Sequence, residues 1–456
     1  MPSAVQVVPN STRTRADVSG DRGRHVAAST DLAVGDLVLR TEAAAAVLLP
    51  ELWRSHCHKC FSNTPSLSRC GRCRTAYYCS RACQQQDWQP DHRRECKRLA
   101  QLASLGLRSD QVVDVLLLGR VMRRTGQEVD GVSPLDLVWY QEDMMDQELL
   151  LLAGLAQKLE LVDGGNSIEQ LQRMLSRFRN NNFSICDELL LEVGAGCFPL
   201  GAMVNHSCDP NCAVTFVSKA LKMEFRAMKP IKAGEEVTQT YVDIALPRRE
   251  RQQRLQRKYH FHCSCSRCSQ SLQDPESVDA FLDADSDGVP QEQWTPQRQE
   301  CVERSIQELR EATDQAANAL DTVKKQQQHI DALKQLLVQQ GNTLHRYNIS
   351  LLQTYSTLFS AEMERDSVNE AILYGESILE FYRHVYNANH PMTGLHLFTL
   401  GDLHSQLVQM EAGDEHKQAK ASEYLMEAHR ILQITHGKDH RFVQMLNERF
   451  KGTTVP

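Results

Sequence analysis

Seven cysteines and one histidine stand within 40 residues, in four pairs whose members are separated by two or three residues. The pairs are Cys57 and Cys60, Cys70 and Cys73, Cys79 and Cys83, and His92 and Cys96. Such gaps let neighbouring ligands bind one ion, and a structural zinc site takes four thiolate or imidazole ligands. Unrelated buried thiols would not produce four consecutive chelating pairs. The segment is therefore predicted to hold two zinc ions, and a module built by metal usually displays a binding surface.

Length, charge and hydropathy limit what kind of protein this chain can be. Its 456 residues suffice for two to four domains, at roughly 100–200 residues per domain. The formal net charge of -7 argues against a protein that coats nucleic acid with its whole surface. The longest apolar run, residues 149–156, is far shorter than the ~20 residues that span a bilayer. The first residues lack the apolar stretch of a secretory signal, so we expect a soluble intracellular protein.

The chain has 15 cysteines, which a reducing compartment would keep from forming disulfides. Tight clusters of them should therefore be metal sites. A second cluster follows the first at Cys263, Cys265 and Cys268. Four scattered cysteines are interpreted as ordinary buried thiols: Cys186, Cys197, Cys212 and Cys301.

Periodicity predicts changes of secondary structure along the chain. Residues 1–55 contain short β-like runs, and residues 97–178 have a helical pattern. Residues 181–245 return to strands, and one of them alternates apolar and polar residues as a half-buried strand does. The apolar residues of that strand are Leu221, Met223, Phe225 and Ala227. From about residue 272 to the end we expect helix.

Helical spacing is clearest in the last part of the chain. Apolar residues recur at that spacing at Ile306, Leu309, Ala312, Ala316, Leu320 and Val323. Residues 378–391 and 431–440 look alike, because each places a polar turn with histidine between amphipathic helices. The pattern indicates stacked helical hairpins of tetratricopeptide (TPR) character.

Several motifs stand in a fixed order in the middle of the chain. They are Arg22-Gly23-Arg24-His25-Val26, Asn205-His206-Ser207-Cys208-Asp209-Pro210-Asn211, Gly234-Glu235-Glu236-Val237-Thr238, Tyr241, and the run from Tyr259 to Cys268. Together they resemble a SET domain with its post-SET zinc segment. The first cysteine cluster, with Tyr77-Tyr78-Cys79-Ser80 and Trp88, resembles a MYND zinc finger. A MYND finger that splits a SET domain, followed by a helical C-terminus, is similar to the layout of the SMYD lysine methyltransferases.

The resemblance implies an α+β fold. It consists of a SET-fold β-rich catalytic core with an inserted MYND zinc finger, a post-SET zinc segment and an α-helical TPR-like C-terminal domain. The expected boundaries are 1–55 for the N-terminal part of the SET domain, 56–97 for the finger, 98–180 for a helical insertion, 181–246 for the catalytic core, 247–271 for the post-SET segment and 272–456 for the helical domain.

The resemblance also implies how three zinc ions are bound. Its interleaved finger places Cys57, Cys60, Cys79 and Cys83 on one ion, and Cys70, Cys73, His92 and Cys96 on the other. The post-SET triplet supplies only three ligands, whereas a closed structural site needs four. In the family the fourth ligand is the cysteine that matches Cys208.

By the same resemblance, the protein transfers methyl groups from S-adenosylmethionine to the ε-amine of lysine in histone or other proteins. The Tyr241 hydroxyl would orient the amine, in a substrate channel formed by Phe183, Tyr241 and Tyr259. An apolar aromatic channel suits this chemistry because it disfavours the ammonium form of lysine. The implied cofactor-binding residues are Arg22, Gly23, Arg24, Asn181, Asn205, His206, Tyr241, Tyr259 and Phe261.

One residue departs from the family pattern. His25 stands where the family usually has a glycine, and its side chain could crowd the cofactor. The rival hypothesis is a non-catalytic adaptor, in which the finger and the helical repeats recruit partners while the SET core is inert. Tyr241, Cys208 and the third zinc set favour the enzyme.

The resemblance implies partners as well. A MYND finger binds proline-rich peptides, and the basic excess of ten Lys or Arg against three Asp or Glu in residues 54–98 leaves nucleic acid as a weaker alternative. We expect a protein substrate with a target lysine, no membrane association, and localisation in cytoplasm and nucleus.

Overall fold

The structure is a computed structural model, and it describes residues 4–8, 23–217, 221–274, 276–317, 323–410 and 415–452. The chain divides into two compact units. Unit 1 contains residues 1–205 and 214–238, and unit 2 contains residues 206–213 and 239–456. Among the described residues, no helix combines the length and the apolar character that crossing a bilayer requires.

Unit 1 carries small antiparallel sheets. Val5–Val8 pairs with His25–Ala28. A three-stranded sheet has the order Cys212–Val217, Lys222–Ala227 and Leu37–Glu42, and the first of these strands belongs to unit 1 from Val214 onward. Another has the order Ala45–Leu48, Glu192–Cys197 and Asn182–Cys186. Ser68–Arg69 pairs with Tyr77–Tyr78. Two short strands, Asn205–His206 and Thr238–Gln239, span the division between the units.

The predicted alternating strand is present, and its register explains the pattern. Met223, Phe225 and Ala227 are buried, and Phe225 lies opposite Leu39. Glu224 is also buried, because it accepts hydrogen bonds from the Arg40 guanidinium on the neighbouring strand. A polar position in such a strand can thus face inward where an ion pair compensates it.

The α-helices of unit 1 are Arg81–Asp87, Arg93–Glu95, Leu99–Ser104, Ser109–Met122, Gln147–Lys158 and Ile168–Asn181. Shorter 3-10 helices cover Pro50–Leu52, Pro134–Asp136, Glu142–Met145 and Gly201–Met203, and a π-helix covers Trp88–His92. Helix Ile168–Asn181 begins at a capping box, in which Ser167 Oγ accepts from Gln170 N at 3.2 Å and the Gln170 side chain accepts from Ser167 N.

Unit 2 is mainly helical. Its α-helices are Arg248–Tyr259, Ser266–Ser269, Pro296–Ala317, Val323–Thr343, Ile349–Glu364, Val368–Val385, Pro391–Met410, Glu415–His436 and Arg441–Gly452. Antiparallel neighbours approach closely at glycine: a Cβ on Gly401 would lie 2.6 Å from Leu425 Cγ, and one on Gly394 would lie 2.8 Å from Ile431 Cγ2. This packing agrees with the predicted helical C-terminal architecture.

Regular helix in this region begins later than the expected residue 272. The residues before Pro296 form turns and one 3-10 helix, Gln291–Gln293. Gly288 adopts φ 77° and Pro290 has no N–H, so the sequence there resists helix. Leu320 of the predicted helical repeat lies outside the described residues, as do the side chains of Leu309, Ala312, Ala316 and Val323.

Candidate active site and metal centres

The first cysteine cluster folds into two four-ligand groups, both in unit 1. One contains Cys57, Cys60, Cys79 and Cys83, and the other contains Cys70, Cys73, His92 and Cys96. Within each group all ligand atoms lie within 4.8 Å of one another. The arrangement is interleaved, because the second group begins between the two halves of the first.

The distances within these groups suit tetrahedral zinc. Zn–S bonds of ~2.3 Å place two sulfurs of a tetrahedron about 3.8 Å apart. The Cys60 and Cys79 sulfurs are 3.6 Å apart, and the Cys70 and Cys96 sulfurs are 3.9 Å apart. Such separations are far too long for a disulfide. Burial lowers the pKa of His92 to about 4, so its imidazole is neutral, as a metal ligand must be.

Local hydrogen bonds hold the finger in shape. The short strand pair Ser68–Arg69 and Tyr77–Tyr78 turns the chain back on itself. His58 N donates to Tyr77 O at 2.8 Å, and Tyr77 N donates to His58 Nδ1 at 3.1 Å. Ser80 caps the following helix by accepting from Cys83 N at 3.1 Å. These contacts bring the first ligand pair, Cys57 and Cys60, close to Cys79 and Cys83.

A third group of ligands lies in unit 2. Cys208, Cys263, Cys265 and Cys268 have all their sulfurs within 4.8 Å of one another, and those of Cys208 and Cys268 are 3.5 Å apart. Helix Arg248–Tyr259 positions the triplet, because Gln252 exchanges two hydrogen bonds with the backbone of Cys263 at 2.7 and 2.8 Å. Four thiolates at this spacing fit a closed zinc site.

An aromatic cluster is built on this third group. The rings of Tyr241 and Tyr259 are 4.9 Å apart, and the His206 ring lies 5.4 Å from Tyr241 and 6.0 Å from Phe261. Cys208, Leu255 and Cys263 form a buried cluster, and the rings of Tyr241, Tyr259 and Phe261 pack against it. Four of the predicted site residues are therefore brought together in unit 2.

Both ring nitrogens of His206 are used inside unit 2. Its Nδ1 accepts from Tyr241 N at 2.9 Å, and its Nε2 lies 3.2 Å from Cys208 Sγ. Burial lowers the pKa of His206 to about 4, so the ring is neutral and its Nε2–H points to the sulfur. A cofactor contact of this side chain would therefore use the ring face, and the prediction that His206 binds the cofactor stays a prediction.

The other predicted cofactor and channel residues belong to unit 1. The Asn181 amide donates to Val138 O at 2.8 Å and to Arg177 O at 2.7 Å. The Asn205 amide donates to Glu236 at 2.9 Å, and the Arg24 guanidinium donates to Asp136 O. The Phe183 ring packs edge-on against Phe198 at 6.0 Å. Their roles toward cofactor and substrate remain predictions, and Arg22 lies outside the described residues.

The residues around Gly23 show how the candidate cofactor strand is formed. Gly23 has φ 59°, a left-handed conformation that favours glycine, and a Cβ added there would meet no atom within 4 Å. No described residue therefore fills the space beside this turn. His25 begins the strand His25–Ala28 in pairing with Val8, and its Nδ1 lies 3.2 Å from Gly23 O. Histidine is thus accommodated in extended backbone at this position.

Comparison with known proteins agrees with this architecture. The SET domain family model matches residues 23–242. The histone-lysine N-methyltransferase ASHR1 of Arabidopsis thaliana is 28% identical, with 94% of this chain and 93% of that protein aligned. The N-lysine methyltransferase SMYD2 of Gallus gallus is 27% identical over 98% of this chain and 99% of its own. The histone-lysine N-methyltransferase SMYD3 of Homo sapiens is 28% identical over 93% and 94%. The chain is thus similar over nearly its whole length to SMYD lysine methyltransferases, and it contains the region that the SET domain model describes.

Three charged residues around the third cysteine group were not identified from the sequence. Arg251 and Arg267 are buried against Cys208, and Asp279, which is also buried, accepts hydrogen bonds from both arginines. Nothing in the sequence distinguishes Arg251 from its neighbours, because helix Arg248–Tyr259 is basic along its length. The only available signal was the excess of arginine beside a cluster that carries negative charge when it holds zinc.

Proposed function

We propose that the chain is an S-adenosylmethionine-dependent protein-lysine N-methyltransferase. The observation that carries the proposal is the cluster of Tyr241, Tyr259, Phe261 and His206 on the third cysteine group. The similarity of nearly the whole chain to relatives that are named lysine methyltransferases supports it.

The residues of the cluster suit the reaction. Methyl transfer to an amine is an in-line displacement, so the protein acts mainly by positioning and by excluding water. The rings of Tyr241 and Tyr259 would disfavour the charged form of an incoming lysine and leave its amine nucleophilic. The Tyr241 backbone is fixed by its bond to His206 Nδ1, so its hydroxyl has a defined place from which to orient the amine. S-adenosylmethionine supplies the methyl group on a sulfonium when bound.

Residues of unit 1 would hold that cofactor. Gly23 lies at a turn beside a space that no described residue fills, and Arg24 and Asn205 bring polar side chains that suit the carboxylate and amino groups of the amino-acid part. We further propose three structural zinc ions, because each ligand group offers the four donors of a closed site.

The proposal extends to partners. The substrate would be a histone or another protein with an accessible lysine, in cytoplasm or nucleus, and the finger would bind proline-rich peptides. The adaptor hypothesis makes a different prediction, which calorimetric titration with S-adenosylmethionine tests. Binding weaker than about 1 mM would favour an inert SET domain.

Tyr241→Phe tests the chemistry. The change keeps the ring and its packing but removes the hydroxyl, so turnover should fall while cofactor affinity is unchanged. We expect a loss of about a hundredfold in kcat, or on the order of 3 kcal/mol in the barrier. Methyl transfer to a lysine-containing protein and cofactor binding are measured for each variant.

The matched control is Tyr355→Phe, which removes a tyrosine hydroxyl within the helical packing of unit 2. It should leave turnover and cofactor affinity near those of the unmodified chain. Equal turnover in Tyr241→Phe and the control would remove the central residue of the proposal.

A further inference from the structure

Arg251 is buried against the third cysteine group. Its side chain is 0% exposed, and its Nε donates to Cys208 Sγ at 3.2 Å. Its Nη2 lies 3.7 Å from Cys268 Sγ. The same guanidinium donates to both carboxylate oxygens of Asp279 at 2.8 and 2.7 Å. One side chain thus bridges two sulfurs and a buried carboxylate.

Two more arginines converge on Asp279, whose side chain is also 0% exposed. Arg267 donates to it at 2.7 Å, and Arg248 donates at 3.2 Å. Arg267 is 6% exposed and Arg248 is 19% exposed, so all three cations are largely removed from water. Asp279 alone balances only one of these three positive charges.

Zinc would supply the charge that this arrangement lacks. A zinc ion with four thiolates has two net negative charges, and these together with Asp279 balance three guanidinium groups. Four neutral thiols would instead leave the buried Arg251 and Arg267 to share the single negative charge of Asp279, which is unfavourable. The charged residues around the group therefore fit a tetrathiolate zinc and do not fit free cysteines.

We propose that Arg251, together with Arg267 and Arg248, is a positioning residue that retains the third zinc ion by compensating the charge of its thiolates. This inference rests on the proposed zinc at Cys208, Cys263, Cys265 and Cys268. It adds that occupancy of this site is coupled to the buried charges of residues 248–279. Such outer contacts typically change metal affinity by about 10- to 100-fold.

Arg251→Met tests the proposal, with Arg254→Met as the control. Arg254 lies on the same helix but is exposed, with Glu250 as its partner. The full-length proteins are titrated against a chromogenic chelator, and Cys208→Ser identifies which zinc belongs to the third site. In Arg251→Met the affinity of the third site for zinc should fall by about 10-fold or more, while the affinities of the two finger sites are unchanged. Equal affinity in the two arginine variants would overturn the proposal.

Asp279→Asn separates charge compensation from simple packing. It removes the competing negative charge while an acceptor oxygen remains for Arg251, so the third zinc should be held as tightly as in the unmodified chain or more tightly. A merely structural network predicts the opposite, because losing Asp279 would loosen the segment and release zinc faster. Weaker zinc binding in Asp279→Asn would therefore overturn the proposal even if Arg251→Met does not fold.

The same titration distinguishes failure of the inference from failure of the proposed zinc site. Two zinc ions in the unmodified chain would overturn the third centre and the inference with it. Three zinc ions, with no effect of Arg251→Met, would leave the third centre intact and overturn the inference alone.

Discussion

The finger and the third cysteine group offer the same kind of ligand set in two different settings. The eight finger ligands lie within one continuous stretch of 40 residues. The third group joins Cys208 to a triplet that begins much later in the chain, at Cys263. Metal in the finger closes local turns, whereas metal at the third group ties together segments that are distant in sequence. The same coordination chemistry therefore has a local role in one place and a long-range role in the other.

The surroundings of the sulfurs differ as well. In the finger, Cys73 Sγ accepts from the backbone N–H groups of Thr75 and Ala76, both at 3.5 Å. At the third group a guanidinium, that of Arg251, donates to Cys208 Sγ. A short chelating loop forms a tight turn, and the turn itself directs neutral backbone N–H groups toward the sulfur. A buried cation requires a second element of structure, so the third group depends on its unit in a way that the finger groups do not.

Single ligand replacements should break the two regions differently. In Cys57→Ser the finger should lose both of its zinc ions, because the interleaved groups share one small folded segment with little other core. Cys208→Ser should cost only the third ion. Elemental analysis is therefore expected to return one zinc for the first variant and two for the second. Two zinc ions in Cys57→Ser would mean that the finger groups bind metal independently.

Removing Arg120 should weaken the finger without releasing its metal. Arg120 donates to Glu95 at 2.9 and 2.7 Å and to the Ala46 carbonyl, and both side chains are buried. Arg120→Met would leave Arg123, which donates to Glu95 at 3.1 Å, as the remaining cation on this carboxylate, so the free energy of unfolding should fall by about 3 kcal/mol or less. Because these donors reach oxygen and not sulfur, the zinc count should stay at three. Denaturant unfolding and elemental analysis measure the two quantities.

The control for this change is Arg94→Met, which breaks an exposed pair with Asp163. Exposed pairs contribute about 1 kcal/mol or less, so the variant should remain close to the unmodified chain. Zinc loss in Arg120→Met would show that the finger also depends on a buried cation and would weaken the contrast with the third group.

The contrast also explains what the sequence could and could not reveal. Chelating pairs such as Cys57 and Cys60 are visible because ligands of a local site stay close in sequence. The fourth ligand Cys208 was found by family resemblance alone, since no spacing rule connects it to Cys263. Arg251 was missed, because its role depends on which side of a basic helix faces Cys208. A contact between a charged side chain and a residue distant in sequence can be identified only from the structure.

The same limit holds for the fold. The strand around Met223 and Phe225 and the helices of unit 2 follow from apolar periodicity, which reports burial directly. The start of regular helix at Pro296 did not follow, because Leu282 and Ala284 are buried in irregular backbone, so apolar residues there report burial and not helix. His25 lies in extended backbone, and the expectation that its side chain crowds the cofactor stays a prediction.

The helices of unit 2 from residue 349 onward serve as a reference region without metal ligands. A change there is expected to alter the free energy of unfolding less than the changes described above. Among the described residues 349–452, no cluster has metal-ligand geometry. The partly buried His390 stacks on Tyr386 at 3.9 Å, and burial lowers its pKa to about 3. The folded chain therefore keeps this ring neutral, while the unfolded chain takes up a proton near its ordinary pKa of about 6.5.

The sign of the pH dependence follows from that difference. The unfolded state binds more protons below about pH 6.5, so the contribution of His390 is complete above that pH and is lost as the pH falls toward 3. Going from pH 8 to pH 6 should cost about 1 kcal/mol or less. His390→Asn keeps an acceptor for Met392 N, which donates to His390 Nδ1 at 3.3 Å, but does not titrate. Its unfolding free energy should fall less over this range, whereas an equal fall in both proteins would show that His390 is protonated alike in the folded and unfolded chain.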